Sequence, residues 1–271
     1  MKDHIAVIGA GVIGSAIINS LLKSGYEGKV TAAEIDPEKA KVIEKLGVSV
    51  TSDSRKVARD ADIVFVSVKP KVLEKVLKEI SKEIEKKLVI STAAAVTLDF
   101  YKKVAPKARF VRIMPNLAIL VQESFTAYCC DDSVTDEEKE KVKVILAMMG
   151  KSVEIEEKYM DAITAVSGSG PGYISILIEA IVYAGLKVGL PRDLALRSAA
   201  QAVLGTAKLV LESNQTAAQI RDMVTTPGGT TIEAICEVEG SDVRHALMRA
   251  IEAATKKSEK IRKKWKSTLV D

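Results

Sequence analysis

Over the first half of the chain, short runs of aliphatic and β-branched residues alternate with amphipathic stretches. Residues 4–8, 29–35, 48–50, 63–68, 88–91, 109–114, 125–130 and 152–155 read as strands, because they are short apolar runs bounded by turn residues. Between them, residues 12–23, 36–46, 71–84, 98–104 and 136–149 carry helical periodicity. Asp53-Ser54 reads as a polar turn. Strands that alternate with helices predict an α/β domain built on a parallel, doubly wound sheet.

From about residue 158 the pattern changes. Glycine and proline punctuate long helical periods at 158–167, 172–188, 192–211, 216–223, 230–239 and 241–266, with no further strand signal. Ala195, Ala199, Ala200, Ala202 and Ala207 give one of these stretches small residues suited to close helix packing. An all-helical domain that is apolar on more than one face buries the surplus in a partner, so a homodimer is expected. The division this implies is 1–157 for the sheet domain and 158–271 for the helical one.

The first strand ends at Ile8 and runs directly into Gly9-Ala10-Gly11-Val12-Ile13-Gly14. This is the dinucleotide fingerprint in its proper strand-turn-helix context. Its first glycine permits the tight turn, the second lets backbone approach the pyrophosphate, and the third lets helix pack on strand. The second strand leads to Glu34 and Asp36, near the position of a ribose-binding acid. A carboxylate there accepts from ribose hydroxyls and repels a 2′-phosphate, which leans toward NADH over NADPH. Asp36-Pro37 is equally an N-cap and first-turn pair for the following helix.

In a doubly wound sheet the ligand lies beyond the carboxyl ends of the strands. That rule adds Val68, Lys69, Pro70, Thr92, Ala93, Ala94 and Asn116 to the cofactor candidates. Lys69 can serve ribose or phosphate or be a solvated loop lysine, and Asn116 can be an ordinary turn residue. The alanines leave room for the nicotinamide.

A second anion site is encoded in the stretch from Met223 to Ile232, which contains Thr225-Thr226-Pro227-Gly228-Gly229-Thr230-Thr231. Gly228 and Gly229 free the backbone for close approach, and the helix that follows presents its positive end to a carboxylate. Turn chemistry alone explains the same residues as a turn and a helix cap.

Composition narrows the class. A net charge of +4 against 28% charged residues, with 4% aromatics, provides no basic-aromatic platform for nucleic acid. Cys129, Cys130 and Cys236 make neither a disulfide framework nor metal-ligand spacing, which favours a reducing compartment. The apolar stretch 174–190 is interrupted by Glu179 and Lys187 and reads as a buried helix rather than a membrane span. The chain enters its fingerprint within a few residues of Met1, so a cytoplasmic location is expected. His4 and His245 have no motif around them.

Taken together, the motifs resemble the pyrroline-5-carboxylate reductases, along nearly the whole chain. The resemblance rests on Ile8-Gly9-Ala10-Gly11, Val66-Ser67-Val68-Lys69-Pro70, Arg112-Ile113-Met114-Pro115-Asn116, Ala165-Val166-Ser167-Gly168-Ser169-Gly170-Pro171-Gly172-Tyr173, Gly189-Leu190-Pro191-Arg192 and the threonine-glycine loop. It implies an N-terminal Rossmann domain joined to a C-terminal helical dimerisation domain, a 6-phosphogluconate-dehydrogenase-like plan. It also implies dimers that in some members assemble into decamers, with each active site shared between chains. The implied activity is reduction of a cyclic imine by NADP- or NAD-borne hydride. Thr226, Gly228, Gly229 and Thr230 would hold the substrate carboxylate, Thr231 the ring nitrogen, and Glu157 and Ser167 would lie at the substrate.

The chain also departs from that family's pattern. Glu34 and Asp36 stand where small polar or basic residues suit NADPH, Met223 where Asn is frequent, Leu117-Ala118 where Thr-Pro is frequent, and Ser54 where Asn is common near adenosine. A β-hydroxyacid dehydrogenase shares the two-domain plan, but it needs a lysine in its glycine-rich helix, and Ser167–Tyr173 contains none. A cofactor-sensing protein without turnover is the remaining alternative, and the intact threonine-glycine loop argues against it.

Overall fold

In the computed structural model, which describes residues 2–267, the strands among those residues form one eight-stranded sheet. They are β1 (Ile5–Ile8), β2 (Val30–Ala33), β3 (Ser49–Thr51), β4 (Ile63–Val66), β5 (Leu88–Ser91), β6 (Arg109–Met114), β7 (Ser124–Cys130) and β8 (Gly150–Glu154). The order across the sheet is β3-β2-β1-β4-β5-β6-β7-β8. Strands β1 to β6 are parallel to their neighbours, as expected, but β7 runs antiparallel to β6 and β8 follows β7. The β6–β7 pairing is where the sheet departs from the parallel, doubly wound order read from the sequence. The β6–β7 connection contains only a short 3₁₀ turn, Leu117–Val121, and a parallel return needs a crossover of about a dozen residues or more.

Helices cover both faces, so β1, β4 and β5 are buried along their whole length. Ile5 and Val7 face a core with Ile17, Ile18 and Leu21 of α1 (Val12–Lys23), Ile43 of α2 (Pro37–Glu44) and Ile145 of α6 (Asp136–Ala147). Ala6 and Ile8 face the other core, with Val57 of α3 (Ser54–Asp60), Leu73 and Leu77 of α4 (Pro70–Ile80), and Phe100 and Tyr101 of α5 (Leu98–Val104). Alternate side chains of one strand thus feed two cores. Helix α3 stands where a turn was expected at Asp53-Ser54: Asp53 caps it by accepting from the Lys56 N–H at 3.0 Å. At its other end the Lys87 ammonium donates to the carbonyls of Ala58, Arg59 and Ala61 at 2.9, 2.7 and 2.7 Å. Burial holds the Lys87 pKa below its ordinary value.

The chain divides into two compact units, one of residues up to Ser169 plus those from Ala253 onward, the other Gly170–Glu252. The expected division after residue 157 falls inside the first unit. Two physical reasons place it there. The segment 158–167, read as one helix, is a 3₁₀ turn (Glu157–Tyr159), a short helix α7 (Met160–Ile163) and a π-helical turn (Thr164–Gly168), and Met160 packs into the α5-side core. The end of α12 (Val243–Ser267) also returns to this unit. Its Trp265 ring meets Phe100 edge-on with centroids 5.0 Å apart. Ser258 and Arg262 donate to the two oxygens of buried Asp161 at 2.7 and 2.5 Å.

The second unit contains α8 (Gly170–Lys187), α9 (Arg192–Glu212), α10 (Ala217–Met223), α11 (Thr230–Glu239) and the start of α12. Its buried cluster is small: Val182, Ala195 and Ala199, with Ile178 against them. A Cβ on Gly185 would stand 3.0 Å from the Ala195 Cβ, so glycine permits the α8–α9 approach. Ala200, Ala202 and Ala207 are exposed, as are Ile176, Leu194 and Leu211. Two helical stretches, Glu157–Lys187 and Arg192–Glu212, are long and apolar enough to cross a membrane, yet only 17% and 11% of their apolar windows are buried within the chain. Such faces require a covering surface.

Replacing Trp265 by Ala should cost about 3 kcal/mol, the low end for deleting a large aromatic side chain. Urea unfolding of wild type and variant measures it, and a loss below about 1 kcal/mol would show that the end of α12 does not secure the first unit.

Candidate active site

The carboxyl ends of β1, β2, β4, β5 and β6 lie along one edge of the sheet, and the fingerprint occupies its centre. Gly9 has φ +90°, donates to Ala33 O at 2.8 Å, and leaves no room for a Cβ, which would lie 2.7 Å from Ser67 O. A Cβ on Gly14 would fall 1.9 Å from Gly9 O, so this glycine sets the contact between α1 and the loop. Gly11 is different: a Cβ there meets nothing within 4 Å. It is also the N-cap of α1 and supplies no side chain to cap the helix. Open space over an uncapped helix start is the geometry a pyrophosphate needs, and the residues present fit a dinucleotide.

Glu34 and Asp36 both have partners within the chain. Glu34 accepts from the Ala10 N–H at 2.7 Å through one oxygen and from the Asp36 N–H at 3.0 Å through the other, so it braces the glycine loop. Asp36 accepts from the Glu38 N–H at 3.0 Å and pairs with Lys39 at 3.0 Å. Lys39 first, and the Glu38 amide second, hold the Asp36 carboxyl below its ordinary pKa. The two carboxylates flank Ile35, which is 84% exposed.

The other cofactor candidates gather at the same edge. Ile8 ends β1, Val12 opens α1, and Ile13 packs against the core. Val68 lies against Gly9, Lys69 is exposed just before α4, and Pro70 is that helix's first residue. Ser54 is buried at the start of α3. The Thr92 hydroxyl donates to Ser67 Oγ at 3.2 Å, Ala93 is buried, and Ala94 is half-buried. Asn116 accepts from the Ala118 N–H at 3.0 Å and donates to both the carbonyl and the hydroxyl of Ser167 at 3.3 Å. Ser167 in turn donates to Phe125 O at 3.1 Å from within the π-helical turn, a distortion that recurs at functional sites. The structure thus brings together one residue expected at the cofactor and one expected at the substrate.

In the second unit, Gly229 donates to Thr226 O at 3.0 Å, with Pro227 and Gly228 (φ +69°) between them. Proline followed by a left-handed glycine is the chemistry of a type II turn. A Cβ on Gly229 would stand 2.3 Å from Thr226 Oγ1, so the turn folds its own hydroxyl over the glycine. Gly229 is also the N-cap of α11 and offers no side-chain cap. Thr230 is exposed and Thr231 half-buried in the first turn.

The pairing of Arg112 with Glu157 escaped sequence reasoning. Arg112 is 2% exposed in the middle of the sheet and donates to Glu157 Oε1 at 3.0 Å. The same oxygen accepts the Leu98 N–H at 2.8 Å, so Glu157 ties the start of α5 to β6. The signal was present as a cation inside the otherwise apolar run Phe110–Met114. Among the described residues of the first unit no histidine or thiol joins the glycine-loop edge: His4 precedes β1 and contacts Asp60 O and Thr31 Oγ1, and burial pushes the Cys129 and Cys130 thiols up to about 12. A polar cavity of about 360 Å³ at the opposite edge is lined by Asp62, Lys87 and Arg109 among others, where Lys87 is spent on capping α3.

A sheet built for a dinucleotide, joined to helices with uncovered apolar faces, is the plan of a two-domain NAD(P)H-dependent oxidoreductase with a helical dimerisation domain. Known proteins agree. Residues 157–261 match the family model for pyrroline-5-carboxylate reductase dimerisation, and residues 4–95 match that for NADP oxidoreductase coenzyme F420-dependent. The chain is 36% identical over 267 residues to the pyrroline-5-carboxylate reductase of Synechocystis, covering 97% of this chain and 100% of that protein. It superimposes on a pyrroline-5-carboxylate reductase from Coxiella burnetii with a TM-score of 0.89 at 32% identity, over 96% of this chain and 99% of that one. The Plasmodium falciparum pyrroline carboxylate reductase, solved with NADP bound, gives 0.87 at 29% identity over 96% and 98%. The chain belongs to the pyrroline-5-carboxylate reductase family.

The glycines separate stability from binding. Gly11→Ala should leave the unfolding free energy within about 0.5 kcal/mol of wild type while weakening dinucleotide binding at least ~10-fold. Gly14→Ala should destabilise the fold itself. Thermal unfolding with and without cofactor checks both, and unchanged cofactor affinity in Gly11→Ala would remove the pyrophosphate from that site.

Proposed function

We propose that this protein reduces 1-pyrroline-5-carboxylate to L-proline with NAD(P)H, the last step of proline biosynthesis. The observation that carries the reading is the loop 226–231, a glycine turn leading into an uncapped helix start, in a chain that belongs throughout to this family. The main-chain N–H groups at Gly228 and Thr230 take the substrate carboxylate, with the Thr226 hydroxyl and Gly229, whose own N–H closes the turn on Thr226 O, beside them. The substrate reacts with its imine nitrogen protonated from solvent, and the Thr231 hydroxyl accepts from that ring N–H as hydride arrives at carbon. When bound, the nicotinamide supplies the hydride that goes to the imine carbon. Residues 8–14, Ser54, 68–70, 92–94 and Asn116 hold the dinucleotide, Ser167 stands by Asn116, and Glu157 serves the site through its bond to Leu98. Positioning supplies most of the rate on this reading, and no side-chain nucleophile takes part.

Glu34 and Asp36 put negative charge where a 2′-phosphate would sit, which supports NADH as the better reductant. The protein acts as a homodimer whose helices cover each other's apolar faces, and decamers built from such dimers are the larger assembly we propose. Three unpaired thiols suit the cytoplasm.

Steady-state rates with the cyclic imine and either cofactor test substrate and reductant together; oxidation of 3-hydroxyisobutyrate with no imine reduction would overturn the assignment. Thr231→Ala should lower kcat about 10- to 1,000-fold, the scale of one lost transition-state hydrogen bond, with cofactor affinity unchanged. Wild-type turnover in that variant would exclude the role. Asp36→Ser keeps an N-cap for α2 and removes the charge, so the kcat/KM ratio of NADPH to NADH should rise. An unchanged ratio would leave Asp36 as a helix cap alone.

A further inference from the structure

The loop between β5 and α5, residues 92–97, is held in a conformation it would not adopt alone. Ala95 has φ +62° and is buried, and a non-glycine residue in the left-handed region is strained by the contact of its Cβ with the carbonyl that follows. Such a residue persists only where its surroundings over-determine it. At the near end the Ala93 N–H donates to Ser91 Oγ at 3.3 Å, and Ser91 is itself hydrogen-bonded to the buried Tyr101 hydroxyl at 2.7 Å. At the far end the cap residue Thr97 makes no side-chain bond to the helix start, and its buried hydroxyl has no partner. Glu157 does the work instead, accepting the Leu98 N–H at 2.8 Å.

That carboxylate is fixed by Arg112. Sheet register pairs Ser91 with Arg112 and Arg112 with Cys129, so the three side chains leave the same face of the sheet, the face that α5 covers. A guanidinium that is 2% exposed is costly to bury unless it is paired, and its ion pair is with Glu157, on the oxygen that also holds Leu98. Both bonds converge on one atom, so loss of the cation frees the carboxylate and loss of the carboxylate frees the loop.

We propose that Arg112 and Glu157 form a charge clamp that holds the strained segment 92–98 in place for hydride transfer, Arg112 acting as a positioning residue through Glu157. The inference deepens the proposed reduction and rests on it, since that reading sets 92–94 against the nicotinamide. A displacement of about 1 Å at the reacting centre is enough to cost on the order of 100-fold in rate.

Hydrogen exchange on the unliganded full-length protein reads the clamp directly. Glu157→Ala and Arg112→Met should each speed exchange of the amides of 93–98, while Glu157→Gln, which keeps an acceptor for Leu98, should stay closer to wild type. In the loaded enzyme at saturating cofactor, Glu157→Ala and Arg112→Met should lower kcat about 10- to 100-fold and raise the isotope effect on kcat with cofactor deuterated at the transferring position. A merely structural role reduces the fraction of active protein and leaves the isotope effect where it was, which would overturn the proposal. So would unchanged exchange at 93–98 in both variants. Absence of imine reduction by the wild type would instead overturn the proposed function, and the clamp would then stand or fall on the exchange data.

Discussion

Parallel pairing of β1 to β6 is the constraint from which the site follows. Parallel neighbours cannot be joined by tight turns, so each strand must be followed by a crossover, and the crossovers clothe both faces of the sheet. The strands then carry apolar residues at consecutive positions, and their carboxyl ends fall along one edge. The candidates placed there from the sequence arrive by that route, among them the glycine loop, Glu34, Lys69, Thr92 and Asn116.

At that edge the chain divides its glycines between two tasks. Gly9 and Gly14 serve the protein, because side chains there would collide with Ser67 and with Gly9 itself. Gly11 is free of that constraint, because a Cβ there would meet nothing within 4 Å and the space over the start of α1 stays open. Glu34 joins two segments of that edge, since one carboxylate bridges the Ala10 amide of the glycine loop and the Asp36 amide at the N-cap of α2. The charge after β2 is thereby part of the scaffold of the glycine loop.

The helical unit is organised by a deficit. Its buried cluster is a handful of residues, and large aliphatic side chains on α8 and α9 remain exposed. The family model for pyrroline-5-carboxylate reductase dimerisation covers these helices, and their exposed apolar faces call for a covering surface. The end of α12 is the exception, because Trp265, Ser258 and Arg262 find their partners in the cofactor unit.

Local information in the chain was sufficient for the alternating elements, the strand-loop-helix at Gly9–Gly14, and the turn at Thr226–Gly229. Each depends on neighbours a few residues away: apolar runs, glycine freedom, proline's fixed φ. The antiparallel β7, the helix at Ser54–Asp60, the unit boundary and the Arg112–Glu157 pair were not legible in the same way. They depend on a connection's reach, on a lysine from β5's approach closing a helix end, and on residues 45 positions apart meeting under a loop. The sequence by itself determined the chemistry available at each strand end; only the tertiary structure decided which partner each group spends it on, because hydrogen bonds and buried charges are settled by proximity in space.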